Sequence, residues 1–315
     1  MELYFLGTVA GTPSKERNVS SIVLKLLEER GSCWMFDCGE GTQHQILKSP
    51  LKLSKLEKIF ITHLHGDHIF GLPGLLTSRS HQGSQGSLGI YGPPGLQRFL
   101  ENALAVSKSH LDFDVSFHEI DEEGIVFQDK QFKVTAKRLV HRIECFGYRV
   151  EEHAMPGRLN DAKLKQEGIA PGPIYARLKY GEDITMDDGT LLKSADYQGS
   201  PIPGRTVVIL GDTRVCDNGK HLAHEADVLV HEATFNEIQR ELAHKYFHST
   251  AKQAAELAHE CRVNSLILTH LSSRYQGIEH RELLEEARKF HKNTYVAEDF
   301  WTYYIPRKHS IHDKV

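Results

Sequence analysis

The sequence predicts a mixed α/β (α+β) protein: two packed β-sheets, each with helices on its outer face. Three observations lead there. Short apolar runs rich in β-formers alternate with helix-period segments in both halves of the chain. A turn-dense stretch, Glu152–Gly204, separates those halves. Several apolar runs are followed within a few residues by an Asp or His, which puts polar groups along one edge of the sheets.

In order, Leu3–Leu6 reads as a strand ending at Gly7-Thr8, and Thr12–Ser21 as a polar loop. Ile22–Leu27 and Cys33–Asp37 read as a strand pair turning at Arg30-Gly31. Gly39–Gly41 opens a short helix through Lys48, closed by Pro50. Lys58–Ile61 is an apolar run and a buried strand, followed by a helix over Gly71–Ser80. Leu88–Tyr91 is a strand, and Leu96–Ser107 an amphipathic helix with Pro93-Pro94 at its start. Val115–Ile120, Phe132–Ala136 and Cys145–Glu151 are strands. Beyond the turn-dense stretch come strands at Thr206–Leu210, Val228–Val230 and Leu266–Leu268. Between the last two lies a helix over Thr250–Cys261 with Ser249 as its N-cap. An amphipathic helix over His280–His291 and strands at Thr294–Ala297 and Phe300–Ile305 close the domain, and the polar tail Arg307–Val315 is expected to fray.

A chain of 315 residues can bury a sizeable core, and the expectation is one domain over 1–315 carrying an inserted arm at about 152–195. No apolar run approaches the length of a membrane span, and Met1–Leu6 lacks a basic leader and is too short for a signal peptide. Five cysteines, odd in number and without a close pair, point to reduced thiols in a cytoplasm and to no cysteine metal site. The net charge of −4 argues mildly against a nucleic-acid partner, although a local basic patch could overcome it.

The chemistry concentrates in Lys58–Gly74, where His63, His65, Asp67 and His68 stand within six residues just after a strand. Neutral imidazole and carboxylate are ligands for zinc and neighbouring divalent metals. Gly66 and Gly71 are expected to let the backbone turn tightly there. One hexapeptide cannot complete two metal shells. Asp212 after Thr206–Leu210, His270 after Leu266–Leu268 and His141 beyond Phe132–Ala136 repeat the pattern of a strand followed by a ligand type.

These residues carry a resemblance. His63-x-His65-x-Asp67-His68 with His141, Asp212 and His270 resembles the metallo-β-lactamase superfamily. Five further segments resemble ribonuclease Z, the tRNA 3′ endonuclease family, in its short form. They are Asp37–Gln43, Gly211–Thr213, His231–Thr234, His248–Thr250 and His270–Tyr275. The resemblance spans Met1 to about Tyr303 and implies the superfamily's αββα sandwich with a projecting flexible arm.

It also implies two Zn2+ per chain, with Mn2+ or other divalent ions as alternatives. His63, His65 and His141 would bind one ion, Asp67, His68 and His270 the other, and Asp212 would bridge them. Paired metals activate a shared water and stabilise phosphoryl charge. Asp67 is read as orienting or deprotonating that water, with a ligand-only role as the alternative. His248 is read as proton donor to the leaving oxygen, oriented by Glu232; a loop histidine and a capping carboxylate are the alternatives. Ser272, Ser273 and Arg274, just past His270, could bind a neighbouring phosphate.

Within the arm, Arg158, Lys163, Lys165, Arg177 and Lys179 face only Asp161 and Glu167 between 158 and 179. The resemblance implies that this segment, with the Gly-Pro motif Gly172-Pro173, grips the tRNA elbow. It implies precursor tRNA as substrate, cut to a tRNA 3′-hydroxyl and a trailer 5′-phosphate, and a homodimer. The alternative is another hydrolase of the same fold, a generic phosphodiesterase or a glyoxalase II-like thioesterase, which would not need a basic arm.

Overall fold

The computed structural model describes residues 1–275 and 277–307; past Arg307, the tail expected to fray lies outside the described residues. Contacts divide the chain into two compact units. Met1–Asp129, Lys133–Val150 and Thr206–Ile305 form the larger, and the smaller centres on Glu151–Arg205.

The larger unit is built on two seven-stranded sheets. The first contains Glu2–Gly7, Ser21–Leu26, Ser32–Phe36, Leu56–Phe60, Leu88–Gly92 and Val115–Glu119, with Thr302–Tyr304 at its edge. Pairing is antiparallel up to Ser32–Phe36 and parallel from there on. In the second, Thr206–Leu210, Val228–Glu232, Ser265–Thr269 and Thr294–Val296 run parallel. Phe36, Phe60 and Tyr148 pack together, with ring centroids 5.1 Å apart for Phe36–Phe60 and 5.3 Å for Phe60–Tyr148. Tyr148 Oη donates to the Ile61 carbonyl at 2.6 Å, which satisfies the one polar atom of a fully buried ring.

Helices Thr42–Leu47, Leu72–His81 and Leu96–Val106 bury Ile46, Leu72, Leu75, Leu76, Leu96 and Leu100 in a cluster with the first sheet. Helices Ala251–Glu260 and Ile278–Arg288 do the same on the second with Ala251, Ala254, Ala255, Ala258, Leu283 and Ala287. Alanines on the buried stripe let the helix lie close to the strands. The result is the expected αββα layering.

Three local readings change. Thr250, not Ser249, caps its helix, in a capping box with Gln253; Ser249 Oγ instead donates to the Thr213 carbonyl at 2.7 Å. Strand Gly124–Gln128 and helix Arg240–Tyr246 lie in stretches where no element was expected. Gly71 has φ −78, an ordinary helical value. What Gly71 supplies is proximity, because a Cβ there would stand 2.1 Å from the Gly39 carbonyl oxygen.

The smaller unit has a core of its own: Leu164, Ile169, Leu178, Ile184, Leu192 and Tyr197. Asn160 caps helix Asp161–Gln166 by accepting from Lys163 N at 3.0 Å, and Pro173 opens helix Pro173–Lys179. Ile184–Thr185 and Leu191–Leu192 form a short hairpin. Gly172 is extended, with φ −178. Lys165 pairs with Asp161 and Arg177 with Glu182, so two of the five bases singled out already have acidic partners. Glu182, Asp183, Asp187 and Asp188 follow the basic window, and Glu151–Arg205 as a whole holds seven Lys and Arg against nine Asp and Glu.

Candidate metal centre

The seven candidate ligands converge in the larger unit, past the carboxyl ends of strands from both sheets. His63 follows Leu56–Phe60 of the first sheet; Asp212 and His270 follow Thr206–Leu210 and Ser265–Thr269 of the second. His141 comes from the loop between Phe132–Arg138 and Phe146–Glu152, closed by Leu139 N donating to the Cys145 carbonyl at 2.7 Å. His270 and Asp37, each directly after a strand, hold left-handed backbone at φ 54 and 58. Such conformations are disfavoured for side-chain-bearing residues and recur at functional sites.

Two sets of donors face inward. His63 Nε2 and His65 Nδ1 are 3.0 Å apart, and His141 Nε2 is 3.3 Å from the same His65 Nδ1. In the other set, Asp67 Oδ2 lies 3.5 Å from both His68 Nε2 and His270 Nε2. Asp212 stands between the sets: Oδ2 is 3.7 Å from His63 Nε2 and 3.4 Å from His270 Nε2, and Oδ1 is 3.6 Å from His68 Nε2. Zinc held at about 2.0–2.1 Å by tetrahedral donors spaces those donors about 3.3–3.4 Å apart. His68 Nε2 and His270 Nε2 are buried without a hydrogen-bond partner, a costly state unless a cation takes the lone pair. The donor groups thus suit two divalent cations.

Residues behind the ligands decide which ring nitrogen faces inward. Asp37 accepts from His68 Nδ1 at 2.7 Å and from Thr62 Oγ1 at 2.8 Å. The Thr62 hydroxyl, its proton committed to Asp37, accepts from His63 Nδ1 at 3.0 Å. A parallel relay runs through Glu232, which accepts from Thr234 Oγ1 at 2.7 Å, while Thr234 Oγ1 lies 3.0 Å from His270 Nδ1. His141 Nδ1 donates to the Phe247 carbonyl at 3.0 Å. Each contact leaves Nε2 as the inward lone pair. Sequence reasoning assigned no role to Asp37, Thr62 or Thr234. The signal for Asp37 was present, since it too is an acid directly after an apolar strand.

Burial, reinforced by the neighbouring imidazoles, holds His63 well below its ordinary value and so neutral, the form that binds metal. Burial opposes the His68 imidazolium as well, but the charges of Asp37, Asp212 and Asp67 outweigh it. Burial would raise Asp67, yet the close approach of His270 and the charges of His68 and His270 hold it well below the usual range. Asp67 Oδ2 also accepts from Gly11 N at 2.8 Å.

His248 Nδ1 is 2.8 Å from Glu232 Oε1 and 3.9 Å from Asp212 Oδ2, at the edge of the same cluster. Burial lowers the His248 imidazole, and the charge and hydrogen bond of buried Glu232 more than reverse that, lifting it to about 9. Its side chain is 15% exposed, so it can reach a substrate. Ser272 lies on the short strand Leu271–Ser272, its N–H donating to the Thr234 carbonyl at 3.3 Å; exposed Arg274 rests 5.7 Å from the Phe235 ring centroid. Arg158, Lys163, Lys165, Gly172, Pro173, Arg177 and Lys179 all belong to the smaller unit, outside this cluster.

Known proteins agree with this architecture. The family model described as Anti-Pycsar protein Apyc1 matches residues 1–153. Human tRNase Z, short form, superposes with a TM-score of 0.71 at 35% identity, covering 97% of this chain and all of that one. The metallo-β-lactamase fold protein YhfI from Bacillus subtilis superposes with a TM-score of 0.66 at 18% identity over 96% of this chain and 98% of that one, and so speaks for the fold alone. Ribonuclease Z of Bacillus thuringiensis (strain Al Hakam) is 54% identical over 98% of this chain and 100% of its own length. Ribonuclease Z of Bacillus cereus (strain G9842) is 55% identical over the same spans, and the chain belongs to the ribonuclease Z family of the metallo-β-lactamase fold.

Proposed function

We propose that the protein is a metal-dependent endoribonuclease that removes the 3′ trailer from precursor tRNA, leaving a 3′-hydroxyl on the tRNA and a 5′-phosphate on the trailer. The observation that carries this is the meeting of two inward-facing donor sets at Asp212, with the His248–Glu232 pair beside them, in a chain of this family.

His63, His65 and His141 would hold one divalent cation, Asp67, His68 and His270 the other, and Asp212 both. Bound there, the cations supply Lewis-acid stabilisation of the phosphoryl oxygens and an acidified water. The remaining steps belong to the chain. Asp67, held ionised well below the usual carboxylate range, orients the attacking water and accepts its hydrogen bond. His248, kept protonated by Glu232, gives its proton to the departing 3′-oxygen as the bond from phosphorus to that oxygen breaks. The new bond joins the water oxygen to phosphorus, which leaves with the trailer.

Ser272, Ser273 and Arg274 would take a neighbouring phosphate. The smaller unit would serve as an arm that contacts the tRNA elbow, with Gly172-Pro173 and the exposed bases Arg158 and Lys179 as its contacts. Its acidic residues make a diffuse basic attraction an insufficient explanation; shape and a few placed bases must carry the contact. The five free cysteines suit a reducing cytoplasm, and among the described residues no helix is long and apolar enough to cross a membrane. A homodimer belongs to the same proposal, supported by Leu47 and Phe70, large apolar side chains left 72% and 59% exposed. Incubation with a 3′-extended precursor tRNA, with and without chelator, tests the proposal: the account expects a trailer released only where metal remains.

A further inference from the structure

The loop that carries His141 into the cluster also carries Arg142 and Ile143, both exposed. The Arg142 guanidinium lies 4.9 Å from the ring centroid of Tyr246, itself 38% exposed. Tyr246 ends helix Arg240–Tyr246, two residues before His248, and the intervening Phe247 carbonyl is the acceptor for His141 Nδ1. The pair therefore borders both the histidine of one donor set and the histidine beside Glu232.

Neighbouring arginines are committed elsewhere. Arg138 pairs with Glu144 at 2.9 Å, and Arg214, stacked 3.7 Å from the Phe247 ring centroid, donates to the His244 carbonyl at 2.8 Å. Arg142 has no carboxylate within ion-pair distance among the described residues, and only the tyrosine ring engages it. A guanidinium lying against a ring keeps its N–H edge free, and that edge matches a phosphate in two-point geometry. An exposed Tyr beside it offers a face on which an unpaired base can stack.

We propose that Arg142 and Tyr246 are positioning residues for the single-stranded end of the RNA. Arg142 holds a backbone phosphate next to the one being cut, and Tyr246 stacks a flanking base. The inference rests on the endoribonuclease reading and adds to it the residues that align the reacting strand. Neither side chain takes part in bond making or breaking.

The test compares Arg142→Ala, Arg142→Lys, Tyr246→Ala and Tyr246→Phe with wild type on 3′-extended precursor tRNA and on bis(p-nitrophenyl) phosphate, with metal content measured for each. For Arg142→Ala and Tyr246→Ala the expected loss in kcat/KM on precursor exceeds that on the small diester by about tenfold, mostly in KM. Arg142→Ala should also flatten the salt dependence by about one phosphate contact. Tyr246→Phe, which keeps the ring, should stay near wild type, and Arg142→Lys should fall between. Equal losses on both substrates together with lost metal would overturn the inference, because the pair would then only support the Phe247–His141 contact. Unchanged precursor kinetics would overturn it as well. Should wild type hydrolyse the diester but leave precursor uncut, the tRNA reading itself fails. The pair is then judged by affinity for a short single-stranded oligoribonucleotide, where equal Kd for wild type and Arg142→Ala rejects it.

Discussion

His68 donates Nδ1–H to Asp37 Oδ2 at 2.7 Å, while its Nε2 faces Asp67 and Asp212 at 3.5 and 3.6 Å. One carboxylate thus aims the ring and two others share its target. Removing Asp37 should free His68 to rotate and should also release Thr62, which orients His63. Asp37→Ala is therefore expected to weaken metal binding about 10–100-fold, although Asp37 touches no metal. Metal titration of the apoprotein checks this, and wild-type affinity in the variant would remove Asp37 from the account.

Asp212 stands between both donor sets, and His141 belongs to one. Asp212→Ala should lower the metal content of both sites, whereas His141→Ala should leave about one ion per chain. Elemental analysis after dialysis decides between them. Full occupancy in Asp212→Ala would end the shared-carboxylate assignment.

Glu232 sets the protonation of His248. Burial alone would discharge the imidazole; the Glu232 charge lifts it to about 9, so the proton is present at neutral pH and lost as pH rises through that value. Single-turnover cleavage should accordingly show an alkaline limb near that pH. Glu232→Gln removes the charge and should move the limb to lower pH. His248→Ala should lower the chemical step about 10²–10⁴-fold while leaving precursor binding largely intact. An unmoved limb in Glu232→Gln would separate the two residues' roles.

Much of this was legible in the chain, and the gaps have physical causes. A strand separated from Asp212 by one residue, or ending directly before His270, is visible because strand and ligand lie close together in sequence. The relays Asp37–Thr62–His63 and Glu232–Thr234–His270 were not, because a threonine's single proton acquires direction only when its acceptor is placed. Gly71 was seen as special for the wrong reason, since proximity to the Gly39 carbonyl is a tertiary fact. The basic window 158–179 misled by its bounds: Glu182, three residues past it, holds Arg177. The core of Leu164, Leu178, Ile184 and Leu192 was hidden because its elements are short and turn-rich.

That core yields a further expectation. Replacing Arg158–Lys179 by a short Gly/Ser linker removes Leu164, Ile169 and Leu178 and should unfold the rest of the smaller unit. If the unit grips tRNA, kcat/KM on precursor falls steeply while hydrolysis of bis(p-nitrophenyl) phosphate survives. Exchanging only Arg158 and Lys179 for Ala keeps the core and should lower precursor binding and its salt dependence without unfolding. Equal losses on both substrates for the double variant would assign the segment to stability instead.

The central claim is hydrolysis by water at the trailer-side phosphate, and the most direct measurement is product-end analysis after cleavage of a 3′-extended precursor tRNA in 18O-labelled water. The account predicts a tRNA ending in an unlabelled 3′-hydroxyl and a trailer whose 5′-phosphate carries the label, with no product once chelator has stripped the metal. A 2′,3′-cyclic phosphate on the tRNA, label absent from the trailer phosphate, or cleavage that persists in the stripped protein would contradict it.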